Sequence, residues 1–429
     1  MSAILTLRCV RCKKEFDPRK ITYTCDQCGE TLDVVYDYSA VAEKVQRSEL
    51  EDRHGSLCER YRDLLPVSDN AVPPGLGEGQ TPALKCNTIG DGLGTPNLYV
   101  KDETQNPTGV FKDRASVIAV GKAIEFGRRT VALASTGNAA ASLAAYAARA
   151  SLQSFVFVPE RTPVQKVSQS IAYGANIVQV KGDYDQTFDL MVEACNQFGW
   201  YNCSPAVNPF RTEGKKTIAY EVCEQFNWEP PDWIVVPTGN GCNLAGIWKG
   251  FREFYKLGLI QQTPGMVAIQ AGGADPLVSA YKKKKAILEP VHAVTLAGAI
   301  AIGRPRNFLK AFISLEESHG IAESVTDDEI VEAQILLARN EGIFSEPGAA
   351  ASLAGVIKLV DIGTIDRKDG ICCIITGSGL KDPEFALRGS SKPLIIEPTN
   401  EGLRTIREFE LSKPSRVCCN AFLPAIAPR

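Results

Sequence analysis

The chain alternates short apolar runs with longer stretches whose apolar positions recur at helical spacing. Runs of strand length lie at Leu98-Tyr-Val-Lys-Asp102, around Val131, at Phe155-Val-Phe-Val158, at Asn176-Ile-Val-Gln-Val180, near Tyr201, at Trp233-Ile-Val-Val236 and at Ile371-Cys-Cys-Ile-Ile375. Helical stretches fill the intervals, and such alternation predicts a parallel α/β architecture. The part from about residue 115 to 210 reads as a small sub-domain of this type, closing over a larger one built from the flanking segments. Residues 41–65 are charged and amphipathic and predict one helix, starting over Val41 to Ser48, with a break before the next turn allowed by the weak periodicity. Thr326-Asp-Asp-Glu329 is a capping box opening a helix toward Asn340, a purely structural signal. Residues 389–429 carry Ser390, Ser391, Pro393 and Pro398 and one helix around Glu401 to Glu408. This tail reads as a packing or subunit contact.

Where the pattern changes from apolar to polar, candidate chemistry appears. In Asn106-Pro-Thr-Gly-Val-Phe-Lys-Asp-Arg114 a Pro and a Gly set a turn, so Lys112 sits where a loop hands over to the helical run from Ala115. An amine that must attack a carbonyl has to be neutral part of the time, which desolvation or a neighbouring cation provides. Most lysines at such junctions are merely solvated, so Lys112 gains weight from three further segments. Ala134-Ser-Thr-Gly-Asn-Ala-Ala-Ala-Ser142 follows a strand and opens a helix, and its amides with Ser135, Thr136 and Asn138 suit a carboxylate and a ring hydroxyl. Pro237-Thr-Gly-Asn-Gly-Cys-Asn243 repeats the design, with amides at Gly239, Asn240, Gly241 and Cys242 able to cradle a phosphate. The run at Ile371 ends in Thr376-Gly-Ser-Gly379, a buried-looking strand with a terminal hydroxyl. Asn208-Pro-Phe-Arg-Thr-Glu-Gly-Lys-Lys-Thr217 reads as an ordered loop before a helix from Ile218 to Phe226. There Arg211 with Lys215 either grips a second anion or forms a solvated basic turn.

Length and composition narrow the picture. A chain of 429 residues predicts two or three domains with a real core. Net charge −3 and a pI of about 5.9 leave no global basic field for nucleic acid. No signal peptide is legible at Met1, and no apolar run approaches the roughly 20 residues of a membrane span. The expectation is a cytoplasmic protein with no membrane partner. The histidines, His54, His292 and His319, share no spacing and read as ordinary surface or core residues. Fourteen cysteines could suggest disulfides, yet two sets sit as adjacent pairs, Cys372-Cys373 and Cys418-Cys419, which scarcely ever bridge each other. Four more form two knuckles, Cys9-Val-Arg-Cys12 and Cys25-Asp-Gln-Cys28, whose thiolates suit one tetrahedral structural Zn2+. Arg8, Arg11, Lys13, Lys14, Arg19 and Lys20 cluster there, as in ribbons that bind nucleic acid, a reading given low weight.

In the order and spacing of these motifs the chain from about Gly77 to Pro383 resembles the fold-type II enzymes that use pyridoxal 5′-phosphate, and within them the threonine synthases. Gly79-Gln-Thr-Pro82 and Glu346-Pro-Gly-Ala-Ala-Ala-Ser352 look like the family's entry and exit signatures. The resemblance implies two sub-domains with the active site between them and an N-terminal zinc ribbon capping the body. It implies ribbon over 1–40, helical linker over 41–76, catalytic body over 77–388 and tail over 389–429. Lys112 then carries the cofactor and serves as base, Asn138 meets its ring oxygen, Gly239 to Cys242 hold its phosphate and Thr376 faces its ring nitrogen. Ser135 and Thr136 become substrate contacts, and Asn208, Arg211 and Asn243 become contacts to a substrate phosphate. The Gly-rich loop Leu296 to Asn307 falls on the pyridine side. The activity implied converts O-phospho-L-homoserine and water to L-threonine and phosphate, in a homodimer.

Three positions depart from the family: Val110, Ala139 and the charged Arg304-Pro-Arg306, each a candidate neighbour of the substrate. They keep open a β-replacement enzyme acting on O-phosphoserine with a sulfur nucleophile. A serine/threonine dehydratase is a second rival, for which Arg211 would be surplus. A catalytically silent zinc-ribbon binding protein is a third, opposed by the intact Lys112, Asn138 and Thr376.

Overall fold

The computed structural model describes residues 3–205, 207–382 and 393–412, and its strands form three sheets. The first is the ribbon: β1 (Ile4–Cys9), β2 (Glu15–Phe16) and β3 (Leu32–Tyr36), antiparallel in the order β2-β1-β3. Its small core is Leu7, Leu32 and Val34, too little to hold 40 residues unaided.

The body follows with β4 (Ala83–Lys85), β5 (Leu98–Asp102), β6 (Thr130–Ala134), β7 (Gln153–Pro159), β8 (Asn176–Val180) and β9 (Tyr201–Asn202). It ends with β10 (Trp233–Pro237), β11 (Gly265–Ala271), β12 (Ile321–Val325) and β13 (Ile371–Ile375). Strands β6 to β9 form a parallel sheet ordered β8-β7-β6-β9. The rest form a sheet ordered β12-β11-β10-β13-β5-β4, parallel except where β4 runs against β5. β13 is buried along its whole length, and β10 from Ile234 onward, because helices cover both faces. That is why these strands read as unbroken apolar runs and not as alternation. The mixed α/β class expected from the sequence is the one found.

Three helices meet backbone to backbone: Lys112–Glu125, Pro209–Lys215 and Cys242–Lys256. A Cβ on Gly214 would collide with the Arg114 carbonyl oxygen, and one on Gly250 with that of Lys216. Only glycine permits this approach.

Two local expectations are corrected. Residues 41–65 are not one helix but three short ones, Tyr38–Ala42, Arg47–Asp52 and Leu57–Arg60. Arg53 is extended, Gly55 has φ +118°, and Ser56 with Glu59 forms a capping box that starts the chain afresh. The stretch after Asn208 is not a loop but the helix Pro209–Lys215. The Asn208 side chain accepts from the Phe210 and Arg211 amides, and Pro209 occupies the first position, where no N–H is needed. The capping box at Thr326 is present, and the tail helix runs Asn400–Ser412. Ser390, Ser391 and the pair Cys418-Cys419 lie outside the described residues; the described cysteines, Cys372 and Cys373 included, are free thiols. Among the described residues no helix is long and apolar enough to cross a membrane.

A buried ionic network joins these parts. Arg114 is fully buried, with Nε 2.7 Å from Glu103 Oε2 and Nη1 2.5 Å from Glu221 Oε1. Lys101 completes it, 2.7 Å from Glu221 Oε2 and donating to the Thr81 carbonyl at 2.5 Å. The four groups bind the lysine helix to β5, to helix Thr217–Gln225 and to the Gly79–Pro82 loop. Truncation would leave Glu103 in the interior without its cation and Glu221 with Lys101 alone. Arg114→Ala is expected to lose about 3–5 kcal/mol of stability, read as a lowered urea midpoint; an unchanged midpoint would show that the network contributes nothing.

Candidate active site

Lys112 is the first residue of its helix, and its approach is set locally. Asp113 folds back on the preceding turn, accepting from the Thr108 hydroxyl at 2.6 Å and the Thr108 amide at 2.7 Å. Gly109, at φ +77°, closes the turn with Ser378 Cβ only 3.4 Å from where its own Cβ would stand. The turn is then stitched to the end of β13. Phe111 N donates to the Thr376 carbonyl at 3.0 Å, Ser378 N donates to the Gly109 carbonyl at 2.9 Å, and Val110 pairs with Gly377. Lys112 and Thr376, separated by most of the chain, therefore share one platform.

Glu346 joins them. Its amide donates to the Gly377 carbonyl at 2.9 Å, and its carboxylate accepts from Asn138 Nδ2 at 2.8 Å. Burial pushes the Glu346 carboxyl up, against the pull of Lys112. Burial likewise lowers the Lys112 amine, with Glu346 opposing and Arg211 adding to the depression. Both shifts run toward the neutral forms, the state a nucleophilic amine needs.

Two helix N-termini carry candidate anion sites, one following a strand of each large sheet. Asn138–Arg149 starts after Ser135, Thr136 and Gly137, all half-buried, and nothing lies within 4 Å of where a Gly137 Cβ would be. Cys242–Lys256 starts after Gly241 in the left-handed region. Among the described residues no protein acceptor meets the amides of Gly239, Asn240 and Gly241, and the first-turn amides of a helix have no intrahelical partner. A set of free amides at the positive end of a helix fits a phosphate monoester, so this chain's residues suit the cofactor that the motifs imply. The Leu296 to Asn307 loop, expected near the pyridine ring, backs this turn: Asn307 N donates to the Asn240 carbonyl at 3.1 Å, and Ile300 packs on Gly239.

Beside the turn lies an excess of positive charge. Arg211 is 1 % exposed; Nη1 donates to the Cys203 carbonyl at 2.5 Å and Nη2 to Ser116 Oγ at 3.2 Å, while Nε is buried without a partner. Lys215, 4 % exposed, and Lys112 flank the Phe111 ring, their ammonium groups 5.3 and 5.4 Å from its centroid. Burial brings the Lys215 amine down to about 8, helped by Arg211 and Lys112 and opposed by Cys242. These groups are interior, so the solvated-turn reading of Arg211 and Lys215 does not hold. Asn208 caps the Arg211 helix and donates to the Asn202 carbonyl at 2.9 Å, and Asn243 donates to the Pro237 carbonyl. Of the departures, Val110 and Ala139 are buried, whereas Arg306 reaches across to Asp185 at 3.3 Å and covers the Phe188 ring at 4.1 Å. Sequence reasoning did not single out Glu346 as a site residue. Its signature is plain in the chain, but nothing in the spacing ties it to Asn138, 208 residues away.

The sulfurs of Cys9, Cys12, Cys25 and Cys28 lie within 4.8 Å of one another, with Cys9–Cys28 at 3.4 Å and Cys12–Cys25 at 3.5 Å. These separations are far beyond a disulfide and close to the about 3.8 Å edge of a tetrahedron with Zn–S bonds of about 2.3 Å. The basic cluster around them is largely neutralised: Arg8 by Glu15, Arg11 by Glu30, Lys14 by Asp26 and Arg19 by Asp17.

Residues 75–377 match the family described as pyridoxal-phosphate dependent enzyme. The chain is 47% identical over 392 residues to a threonine synthase of Methanocaldococcus jannaschii, covering 91% of this chain and 96% of that relative. It is 42% identical over 400 residues to a threonine synthase of Methanosarcina acetivorans, covering 93% and 97%. Among solved structures, the processed form of threonine deaminase isoform 2 from Solanum lycopersicum has a TM-score of 0.64 at 19% identity. It covers 88% of this chain and 99% of that one, a likeness of fold alone. With the lysine platform, the free-amide turn and these relatives in agreement, the chain belongs to the pyridoxal-phosphate dependent enzymes and, within them, to the threonine synthase family.

Proposed function

We propose that this protein converts O-phospho-L-homoserine and water to L-threonine and phosphate. The observation that carries the reading is the buried pair Arg211 and Lys215 with the half-buried Lys112 beside a helix N-terminus, in a chain so similar to threonine synthases. A free amino acid such as serine or threonine brings only its carboxylate, which the Ser135 turn receives, and no second anion to balance that trio, which disfavours the dehydratase alternative. A phosphate ester brings close to two charges, and burying it without cations would be prohibitive.

In the cofactor site we assign covalent attachment to Lys112, the ring oxygen to Asn138, the phosphate to the Gly239 to Cys242 amides and the ring nitrogen to Thr376. Pyridoxal phosphate, when bound, supplies an electron sink conjugated to the substrate's α-carbon. The rest falls to this chain's residues. The Ser135 and Thr136 turn, at its helix N-terminus, receives the substrate carboxylate. Lys112, held toward its neutral form, takes the Cα proton and returns one later. Arg211 and Lys215, with Asn208 and Asn243 beside them, hold the phosphate as loss of a Cβ proton expels it from Cγ with its bridging oxygen. Cγ then takes up a proton, and water gives its hydroxyl to Cβ and its remaining proton to the departed phosphate. Glu346 holds the Asn138 amide and can accept a proton from Lys112. We assign one structural zinc to Cys9, Cys12, Cys25 and Cys28, and place the ribbon over 1–40 and the catalytic body over 77–388.

Three outcomes test this reading. Lys112→Ala should abolish borohydride-trapped cofactor and lower kcat at least about 10²-fold; trapping at the wild-type level would reject the assignment. The wild type should release phosphate from phosphohomoserine faster than from phosphoserine and faster than it deaminates free threonine. On that substrate Arg211→Ala should lose about 2–4 kcal/mol in kcat/KM while keeping the cofactor. The third outcome concerns pH. Burial holds the Lys215 amine at about 8, charged below that value and neutral above it, so calorimetric affinity for sulfate, whose own charge is constant over this range, should be full below that value and fall as pH rises through it. Lys215→Gln should flatten the profile.

A further inference from the structure

Two contacts between the ribbon and the body lead to the same short helix. Tyr23 lies between the knuckles, two residues before Cys25, and its hydroxyl accepts the Asn202 amide of β9 at 2.8 Å. Its ring leans on Tyr201, with centroids 6.0 Å apart. From Asn202 the chain turns directly to the anion residues. The Asn202 carbonyl accepts from Asn208 Nδ2, the cap of helix Pro209–Lys215, and the next carbonyl, Cys203, accepts from Arg211. On the other side β3 is pinned by lysines of the body. Lys249 donates to the Val34 carbonyl at 2.5 Å and lies 3.1 Å from Asp33, and Lys310 donates to the Leu32 carbonyl at 2.5 Å. At the end of β3 the Tyr36 hydroxyl donates to Glu213 Oε2 at 2.8 Å in the interior. Glu213 sits on the same helix, between Arg211 and Lys215, and is shared with Lys216 at 2.8 Å and Lys249 at 2.7 Å.

We propose that the four-cysteine ribbon is a positioning element of the substrate-phosphate site, with Tyr23 setting Asn202 and Tyr36 setting Glu213, so that Arg211 and Lys215 are held through the N-terminal cap of their helix and from the residue between them. This inference rests on the assignment of Arg211 and Lys215 to a substrate phosphate. Its physical basis is that seven residues of helix cannot hold two cations in register by themselves. Both anchors start in a segment whose own core is too small to be rigid without its metal. Neither tyrosine touches the cofactor turn, so the effect falls on anion affinity and not on cofactor content.

Tyr23→Phe and Tyr36→Phe in the full-length holoenzyme test this, with inorganic phosphate as the calorimetric probe. Each variant should keep one zinc and one cofactor per chain, while the Kd for phosphate and the KM for phosphohomoserine rise together by about tenfold, as for an orphaned buried polar group. The kcat should stay within about twofold. Unchanged Kd and KM in zinc-loaded protein, or a loss of kcat alone, would overturn the proposal. If a variant does not fold, hydrogen exchange of the wild type decides: zinc removal should speed exchange over residues 202–211 before that of β10 and β13, and equal rates would overturn the proposal. Should the wild type release no phosphate from phosphohomoserine, the enzyme reading fails, whereas phosphate binding and exchange still judge the ribbon.

Discussion

The position of Lys112 depends on Arg114, two residues along the same helix. Its guanidinium sits in the interior between Glu103 from the end of β5 and Glu221 from helix Thr217–Gln225, with each carboxylate bound through two nitrogens. Such a group tolerates little displacement, because a shift of either partner leaves a full charge in a medium that cannot solvate it. The network adds less to net stability than to definition: it allows one placement of the lysine helix relative to both neighbours. The Thr108–Asp113 hydrogen bonds and the ladder from Gly109 to Ser378 then set the direction of the side chain. Entry loop, lysine turn and β13 are thereby one assembly.

On this rigid frame the site is short of negative charge. Arg211 and Lys215 are buried and Lys112 half-buried, with the Glu346 carboxyl itself pushed toward its neutral form. An interior of this kind is costly until an anion arrives, and two helix N-termini point the same way. In the function proposed, cofactor phosphate and substrate phosphate have separate provision: backbone amides at Gly239 to Cys242 for one, side-chain cations on helix Pro209–Lys215 for the other. Amides cannot discriminate strongly by charge, but they are always in place. Cations held by a seven-residue helix need buttressing, and the ribbon stands where it can supply it.

Much of this was legible beforehand, for identifiable reasons. Parallel strands covered on both faces read as apolar runs, so β5, β6, β7, β10 and β13 stood out, and each glycine turn following β6 or β10 marked a helix N-terminus. Lys112 was visible because Pro107 and Gly109 punctuate the chain in front of it. The Asn208 stretch reads as a loop when proline and glycine are taken as breakers, yet Pro209 at a first helical position and Gly214 at a helix crossing both favour the helix found. Residues 41–65 misled through their charge pattern, since Gly55 and the capping box at Ser56 outweigh a weak period. Glu346 was hidden for another reason: its partner is distant in sequence, and only the fold brings Asn138 to it.

The account's central claim is that the anion held by Arg211 and Lys215 departs from carbon, taking its bridging oxygen along. The most direct test is to turn over phosphohomoserine in water enriched in heavy oxygen and weigh both products by mass spectrometry. The account predicts threonine carrying one heavy oxygen in its hydroxyl and an equal amount of phosphate carrying none. Label in the phosphate, or homoserine in place of threonine, would mean that water attacks phosphorus, and would contradict it.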